Sequence, residues 1–317
     1  MSKPPQQRPE NGPQPAARKP AQPHPGRIHP VVIYPFQQPE SYADLRPLYE
    51  LIARLDSDKK SYARPITVLD HKTHLSMAHD PDFLAFKKNT VGRCSEILDR
   101  WCVDTCQMWY SGLGLAFERG GPHDVYWLIP GDFNYGTASG QEVLGRLHDL
   151  PEIILELDQD FCIGEIAADH NHSKQLIDTY ATFALLYNWF PKQAAEIRQF
   201  TERPRSEFFA LRHSFLAEVL AHRWYPYEQT MVMLLLAVLG RKSISRFFVG
   251  NISDLPEGRE PLGAIWQQVE RTEGVLKSFW RESHLEQRGW VEEYRLLDTR
   301  SEQIRRTALT ILENLLA

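Results

Sequence analysis

The chain has 317 residues, and its 36 lysines and arginines against 41 aspartates and glutamates give a formal net charge of -5 at pH 7. With 42% hydrophobic and 24% charged residues, the composition predicts a soluble globular protein. The acidic balance gives no general electrostatic reason to bind nucleic acid, so no such partner is expected. Four cysteines are too few for a disulfide framework and predict buried, reduced thiols.

Residues 1 to 27 are rich in proline, glutamine and basic side chains, which predicts a disordered tail because little apolar surface is available to bury. The same region has no apolar run of the kind found in secretion signals, so we expect a cytoplasmic protein. The most apolar segment, residues 231 to 239, is shorter than the roughly 20 residues that span a bilayer. It predicts a core helix, and no transmembrane segment is expected.

The ordered part of the chain opens with a strand, a helix and a second strand. Residues 31 to 35 form a short apolar run, and residues 41 to 55 repeat apolar side chains at helical spacing. Residues 66 to 70 form a second run that stops on the carboxylate of Asp70. This succession predicts a right-handed βαβ unit with parallel strands.

Residues 93 to 118 have a largely helical apolar pattern, in which Trp101 is expected to point inward. Gly112 and Gly114 fall inside this predicted helix, where each glycine costs about 1 kcal/mol relative to alanine. Two explanations are open: the glycines permit close packing of the helix, or they permit the approach of a ligand.

Residues 125 to 130 form an apolar run that ends in the sequence Gly131-Asp132-Phe133-Asn134. The run predicts a buried parallel strand followed by a polar turn. In open α/β sheets, ligands bind just beyond the carboxyl ends of such strands. Asp132 is therefore the predicted centre of a site.

The remaining pattern continues to alternate helices and strands and then becomes helical. It predicts helices at 139 to 150, at 173 to 189 with a restart at Pro191, at 215 to 221, and from the segment 224 to 229 up to 240. Strands are predicted at 161 to 166 and 244 to 249. From residue 262 the pattern is helical, with a break near 284 to 289. We expect an α/β fold whose mostly parallel central sheet is flanked by helices, with a domain at residues 28 to 260 and a helical extension at 261 to 317. An apolar stripe in the extension favours packing on its own domain or on a second subunit in a homodimer.

Taken together, these features resemble the nucleotide-sugar-dependent glycosyltransferases of the GT-A fold, especially those related to dolichyl-phosphate mannose synthase. The first strand and helix resemble that family's nucleotide-binding unit, and Asp70 stands where its second strand ends in an acidic residue. Residues 111 to 116 are similar to the small-residue helix that precedes the family's metal-binding turn. Pro130-Gly131-Asp132 takes the place of its Asp-x-Asp motif.

The resemblance implies a nucleotide-diphosphate sugar as donor, a divalent cation (Mg²⁺ or Mn²⁺) and a small-molecule or glycan acceptor. Residues 206 to 212 and Glu228 resemble the acceptor-side segment and its acidic base, with Glu207 as a second candidate for the base. The implied metal ligands are Asp132 and Asn134. The implied nucleotide contacts are Pro35, Asp70, Gly112, Gly114, Arg212 and Arg259, and Arg205 is a further candidate for phosphate binding.

One departure from the family pattern bears on the metal. Pro130 replaces the first aspartate of the motif, which leaves one carboxylate unless Asn134 or a diphosphate completes the cation's ligand shell.

The leading hypothesis is a GT-A-like glycosyltransferase, and two alternatives stay open. The first is a catalytically silent binding or scaffold protein on the same fold. The second is a metal-dependent hydrolase that uses Asp132, His170 and His172, although the two histidines are also explained by hydrogen bonding in a loop.

Overall fold

The protein is described from a computed structural model. The structure describes residues 26 to 34, 42 to 71, 75, 77 to 102, 105 to 166, 180 to 222, 229 to 252 and 262 to 316. The Pro-rich tail up to residue 25 and Ser41, the first residue of the predicted first helix, lie outside the described residues.

A seven-stranded sheet runs through the described chain in the order β3-β2-β1-β4-β6-β5-β7. The strand β6 is antiparallel to both of its neighbours, and the other pairings are parallel. The predicted mostly parallel sheet is therefore confirmed. The strands are β1 Ile28–Tyr34, β2 Ile66–Asp70, β3 Glu96–Arg100, β4 Val125–Pro130, β5 Phe161–Ile166, β6 Phe209–Arg212 and β7 Ile244–Gly250.

Helices cover both faces of the sheet. The side chain of Asp80 caps the helix Pro81–Phe86 by accepting a hydrogen bond from the Phe83 amide at 2.9 Å. Pro191 occupies the first turn of the helix Pro191–Phe200, where a backbone N–H would have no partner within the helix. The helices are α1 Tyr42–Ser57, α2 Pro81–Phe86, α3 Thr105–Arg119, α4 Ala138–Arg146, α5 Asp149–Glu156, α6 Thr182–Trp189, α7 Pro191–Phe200, α8 His213–Ala221, α9 Gln229–Leu239, α10 Leu262–His284 and α11 Trp290–Leu316.

Alternation along the strands divides the apolar side chains between two cores. Val31 and Ile33 of β1 face a core that includes α3 and α6 to α11, while Val32 and Tyr34 face a core built with α1, α2, α4 and α5. Burial on both faces explains why the strands are continuous apolar runs, and it produces a three-layer α/β/α arrangement. The apolar positions of the predicted first helix are buried as expected, namely Leu45, Leu48, Leu51, Ile52 and Leu55.

The prediction of one long helix over residues 93 to 118 is wrong. Glu96–Arg100 forms β3, which pairs in parallel with β2, and the helix α3 begins only at Thr105. Trp101, expected to point inward, follows the strand and is 59% exposed. A parallel edge strand with charged residues at both ends carries too little apolar signal to be separated from a helix by periodicity alone.

Two further boundaries differ from the prediction. Residues 139 to 150 do not form one helix, because α4 ends at Arg146 and α5 starts at Asp149. The segment Phe209–Arg212, which was not predicted as a strand, forms β6. Its four residues are short for a strand, so the sequence pattern gave little indication of it.

The C-terminal helices α10 and α11 are present, with the predicted break between them. The apolar stripe of α11 packs on the chain's own helices: the Asn188 side chain donates to the Leu297 carbonyl at 2.8 Å, and Trp189 donates to Ser301 at 3.0 Å. Ala308 is buried in the same core, whereas Ile311 is 42% exposed. Packing on a second subunit and the domain boundary at residue 260 stay predictions.

The four cysteines are buried and free, as predicted. In the part of the chain that the structure describes, no helix combines the length and apolar character needed to cross a membrane.

The two glycines of α3 have different surroundings. A β-carbon on Gly112 would lie 2.5 Å from Val31 and 2.7 Å from Val68, whereas one on Gly114 would meet nothing within 4 Å. Close packing of α3 against β1 and β2 therefore accounts for Gly112.

We predict opposite effects of alanine at these glycines. Gly112→Ala should lower the free energy of unfolding by about 1 to 3 kcal/mol because the core is overpacked. The matched control Gly114→Ala should leave it unchanged or raise it by up to about 1 kcal/mol through helix propensity. Urea denaturation measures both, and equal stability of the two variants would contradict the packing explanation.

A network of titratable groups lies at the amino-terminal ends of β1 and β4. Asp124 accepts hydrogen bonds of 2.8 Å from the Arg27 amide, the Gly121 amide and the His29 ring. Burial alone would raise the pKa of Asp124, but these hydrogen bonds outweigh it and the pKa is lowered from 3.8. Burial lowers the pKa of His29 below 6.5 despite the neighbouring carboxylate.

The network predicts acid sensitivity. His29 takes up its proton less readily when folded, so the free energy of unfolding should fall as the pH drops below about 6.5. A second loss should follow below about 4, where the carboxylate of Asp124 must be protonated. Chemical denaturation across pH measures both steps. His29→Gln should flatten the first and Asp124→Asn the second, and a stability that stays constant or rises as the pH falls would refute the prediction.

Candidate functional site

The carboxyl ends of β2, β1 and β4 lie side by side at one edge of the sheet. Tyr34 ends β1, Asp70 ends β2, and Pro130 ends β4 opposite Ile33. Asp70 is fully buried, and Asp132 lies two residues beyond Pro130. Because one strand separates β2 from β4, the two carboxylates are offset by two strand spacings, about 10 Å across the sheet. Asp70 and Asp132 can therefore face one ligand.

Gly131 sets the position of the Asp132 turn. A β-carbon on this residue would lie 2.3 Å from the carbonyl oxygen of Ile33, a separation that real β-carbons do not adopt. The missing side chain thus lets the end of β4 approach the backbone of β1 closely, which is a recurrent use of glycine beside ligand sites.

Glu207 lies two residues before the antiparallel strand β6, whose amino-terminal end is at the same edge. The register pairs Val125 with Arg212 and ends with Leu128 opposite Phe209. The rings of Phe133 and Phe208 lie with centroids 4.9 Å apart. The turn after β4 and the segment before β6 are therefore in contact.

Tyr135 lies between these two segments. It is fully buried, and its hydroxyl donates to the Pro130 carbonyl at 2.6 Å. Burial raises its pKa well above the ordinary value, and the charges of Asp132 and Glu207 raise it further. The charges of Asp132 and Glu207 thus both disfavour ionisation of this hydroxyl.

Asn134, the other predicted metal ligand, shapes the start of α4. It is 8% exposed, and its side-chain oxygen accepts from the Gly136 amide at 3.2 Å. Thr137 then caps the helix by accepting from the Gly140 amide at 3.1 Å. The amide of Asn134 therefore already has a local role in the turn, and its part in metal binding stays a prediction.

Several predicted site residues are not brought to this edge. Arg212 pairs with Val125 at the far end of β4, roughly 20 Å from the Asp132 turn at about 3.3 Å per residue. Its guanidinium donates to the Gln159 and Ile154 carbonyls, at 2.9 and 2.8 Å. The expectation that Arg212 binds phosphate beside Asp132 does not agree with this placement, because its donors bind backbone carbonyls at the opposite edge.

Arg205 donates to Gln268 of α10 at 3.0 Å, and Gly112 is in contact with the sheet core. Other predicted site residues lie outside the described part of the chain: Pro35, His170, His172, Glu228 and Arg259.

The oxygen donors at the edge suit a hard divalent cation. Asp132 and Glu207 offer carboxylates, the ligands that Mg²⁺ and Mn²⁺ prefer, and a diphosphate can supply further oxygens. Among the described residues, the one group of three potential donors is elsewhere, at His148, Asp149 and Glu152. Glu152 accepts from Tyr62, which bridges to the first residue of β1, so this group lies toward the opposite edge.

An aromatic surface beside Asp70 was missed in the sequence. Asp70 and Arg100 are paired at the ends of β2 and β3, and the residues that follow them, His71 and Trp101, have ring centroids 5.1 Å apart. Recognising β3 would have revealed this neighbour relation, because the ends of adjacent parallel strands meet at one edge.

No protein-family model matches the sequence, and no curated protein does. Among solved structures, the chain is similar to glucosyl-3-phosphoglycerate synthase from Mycobacterium tuberculosis. The complex of that enzyme with Mn²⁺, UDP and glucosyl-3-phosphoglycerate gives a TM-score of 0.55 at 11% identity, over 80% of this chain and 79% of that one. Its complex with Mg²⁺ and UDP gives 0.54 at 12% identity, with the same coverage.

Identity this low shows the fold alone. The structural similarity confirms the predicted GT-A-type arrangement, in which a mostly parallel sheet is flanked by helices and followed by C-terminal helices. The closer relation to dolichyl-phosphate mannose synthase stays a prediction.

We expect the Tyr135 hydroxyl to stabilise the turn that carries Asp132. Tyr135→Phe should lower the free energy of unfolding by about 1 to 3 kcal/mol, because the buried Pro130 carbonyl loses its donor. Tyr187→Phe, at a residue that is 38% exposed, serves as the control and should change it by less than about 0.5 kcal/mol. Urea denaturation compares them, and an unchanged stability of Tyr135→Phe would contradict the role of this hydrogen bond.

Proposed function

We propose that the chain is a glycosyltransferase that moves a sugar from a nucleoside diphosphate to an acceptor hydroxyl. The observation that carries the proposal is that Asp70 ends β2 and Asp132 follows β4 at the carboxyl edge of a GT-A-type sheet, where the segment that carries Glu207 contacts the turn after β4. The neighbours support it, since their crystals contain UDP or UDP-glucose with Mn²⁺ or Mg²⁺.

The donor would lie along the carboxyl edge of the sheet. Its nucleoside would lie at the carboxyl end of β2, near the buried Asp70, and against the exposed ring of Trp101. Its diphosphate would reach the Asp132 turn, with Arg259 as the proposed basic contact. A divalent cation bound there neutralises the negative charge that develops on the leaving diphosphate.

In the transfer, the bond between the anomeric carbon and the diphosphate oxygen breaks, and a bond to the acceptor oxygen forms. The acceptor hydroxyl gives its proton to a carboxylate that lies close by. Glu207 and Glu228 are the candidates for this base. Holding donor, acceptor and base in one cleft supplies much of the rate enhancement.

The acceptor, the closer family, the location and the oligomeric state are further proposals. The neighbours were crystallised with phosphoglyceric acid or glycerol 3-phosphate, which makes small phosphorylated alcohols the first acceptors to test. Membership of the dolichyl-phosphate mannose synthase group, a cytoplasmic location and a homodimer through the C-terminal helices are proposed on the sequence pattern.

One observation favours a second function, a catalytically silent binding protein. Pro130 stands where the resembled motif has a carboxylate, and loss of metal binding would leave a nucleotide-binding fold without transfer. The hydrolase alternative depends on His170 and His172, which the structure does not describe.

We expect UDP-, GDP- or ADP-sugars with Mn²⁺ to raise the melting temperature of the full chain, because a ligand that binds the folded state stabilises it. At a ligand concentration of about 100 times Kd the gain is about 2.7 kcal/mol. Asp132→Ala should remove the metal-dependent part of the shift, and Glu202→Gln, at an exposed site, should not.

Differential scanning fluorimetry measures the shift, and release of free UDP with phosphoglycerate as acceptor measures turnover. No stabilisation by any of the three nucleotides would refute the proposal. Stabilisation without turnover, for any acceptor tested, would favour the silent binding protein.

A further inference from the structure

Pro130, which stands where the resembled motif has a carboxylate, ends β4, and β4 pairs with the antiparallel strand β6. The antiparallel pairing of β4 with β6 runs without a shift from Val125 with Arg212 to Leu128 with Phe209, where it ends, and Pro130 and Glu207 each lie two residues beyond that last pair. The ring contact of Phe133 with Phe208 holds the turn after β4 against the segment that carries Glu207. Glu207 is therefore a candidate for the carboxylate that Pro130 lacks.

Both carboxylates flank a pair of contacting aromatic rings. Leu128 and Phe209, the last pair of the two strands, lie in the core covered by α3 and α9, whereas Phe133 and Phe208 lie in the opposite core. Asp132 directly precedes Phe133, and Glu207 directly precedes Phe208.

The segment that carries Glu207 is fixed on both sides. Ser206 is buried, and its hydroxyl donates to the Gly164 carbonyl. The Gly164 amide in turn donates to the Phe208 carbonyl at 2.7 Å, and the Phe208 ring contacts Phe133. A residue held between two such anchors loses little conformational entropy when it binds a ligand.

We propose that Glu207, in the loop that leads into the antiparallel strand β6, supplies the carboxylate that Pro130 lacks, so that Asp132 and Glu207 together bind the divalent cation of the donor diphosphate. This inference deepens the proposed function and rests on it. It assigns Glu207 to the cation and leaves Glu228 as the base. Two carboxylates leave most of an octahedral shell to the diphosphate and water, so the cation should bind weakly without UDP and more tightly with it.

Mn²⁺ binding by the full chain tests the assignment without reference to turnover. Electron paramagnetic resonance counts free Mn²⁺ during titration, with and without UDP. Asp132→Asn and Glu207→Gln should each weaken Mn²⁺ binding in the presence of UDP by at least about tenfold, the smallest loss usual for groups around a metal. Glu202→Gln, in the same loop, should bind as the wild type does.

A carboxylate swap provides the decisive variant. Adding Pro130→Asp to Glu207→Gln returns a carboxylate to the opposite side of the strand pair and should recover most of the lost affinity. The two changes should thus be strongly non-additive, as expected of one shared site. If the proline replacement unfolds the protein, as circular dichroism would show, Glu207→Asp gives the second test and should keep more Mn²⁺ affinity than Glu207→Gln.

The outcomes separate the two proposals. Wild-type Mn²⁺ affinity in Glu207→Gln, with weak binding in Asp132→Asn, overturns the role of Glu207 and leaves the proposed function intact. Failure of both Pro130→Asp and Glu207→Asp to retain affinity also overturns it. A wild-type chain that binds neither UDP nor Mn²⁺ refutes the proposed function and this inference with it.

Discussion

The antiparallel pairing of β6 with β4 is the interaction on which the ligand edge depends. Parallel strands bring their carboxyl ends to one edge, but β6 runs the other way and brings its amino-terminal end there. The turn after β4 therefore meets the segment before β6, and Phe133 contacts Phe208. Asp132 lies on the first segment and Glu207 on the second, and the charges of both raise the pKa of the buried Tyr135. The four residues of β6 thus bring together two segments that lie far apart in the chain.

Close backbone approach is the second constraint. Gly131 lets the end of β4 come against the Ile33 carbonyl, and Gly112 lets α3 come against Val31 and Val68. Both contacts involve β1, which lies between the strands that carry Asp70 and Asp132. The same packing that builds the core therefore fixes the spacing between the two carboxylates.

The comparison with known structures separates what a fold determines from what side chains determine. A sheet order and its flanking helices persist at 11% identity because they depend on apolar patterning, which many sequences satisfy. Chemistry depends on particular oxygen atoms, and here Pro130 replaces the carboxylate of the resembled motif. Function consequently has to be argued from the site, for which we propose Asp132 and Glu207 as oxygen donors.

The sequence by itself determined the fold class and strands β1, β2, β4, β5 and β7, and it predicted Asp132 as the centre of a site. These follow from local signals: apolar runs of strand length, helical spacing and a polar turn at a strand end. Helix α3 was extended too far because β3 is a short edge strand with charged ends, and β6 is only four residues long. Only the tertiary structure decided that Arg212 lies at the opposite edge and that the segment carrying Glu207 contacts the turn after β4. Strand register is a long-range property, set by packing between segments distant in the chain, so local periodicity does not contain it.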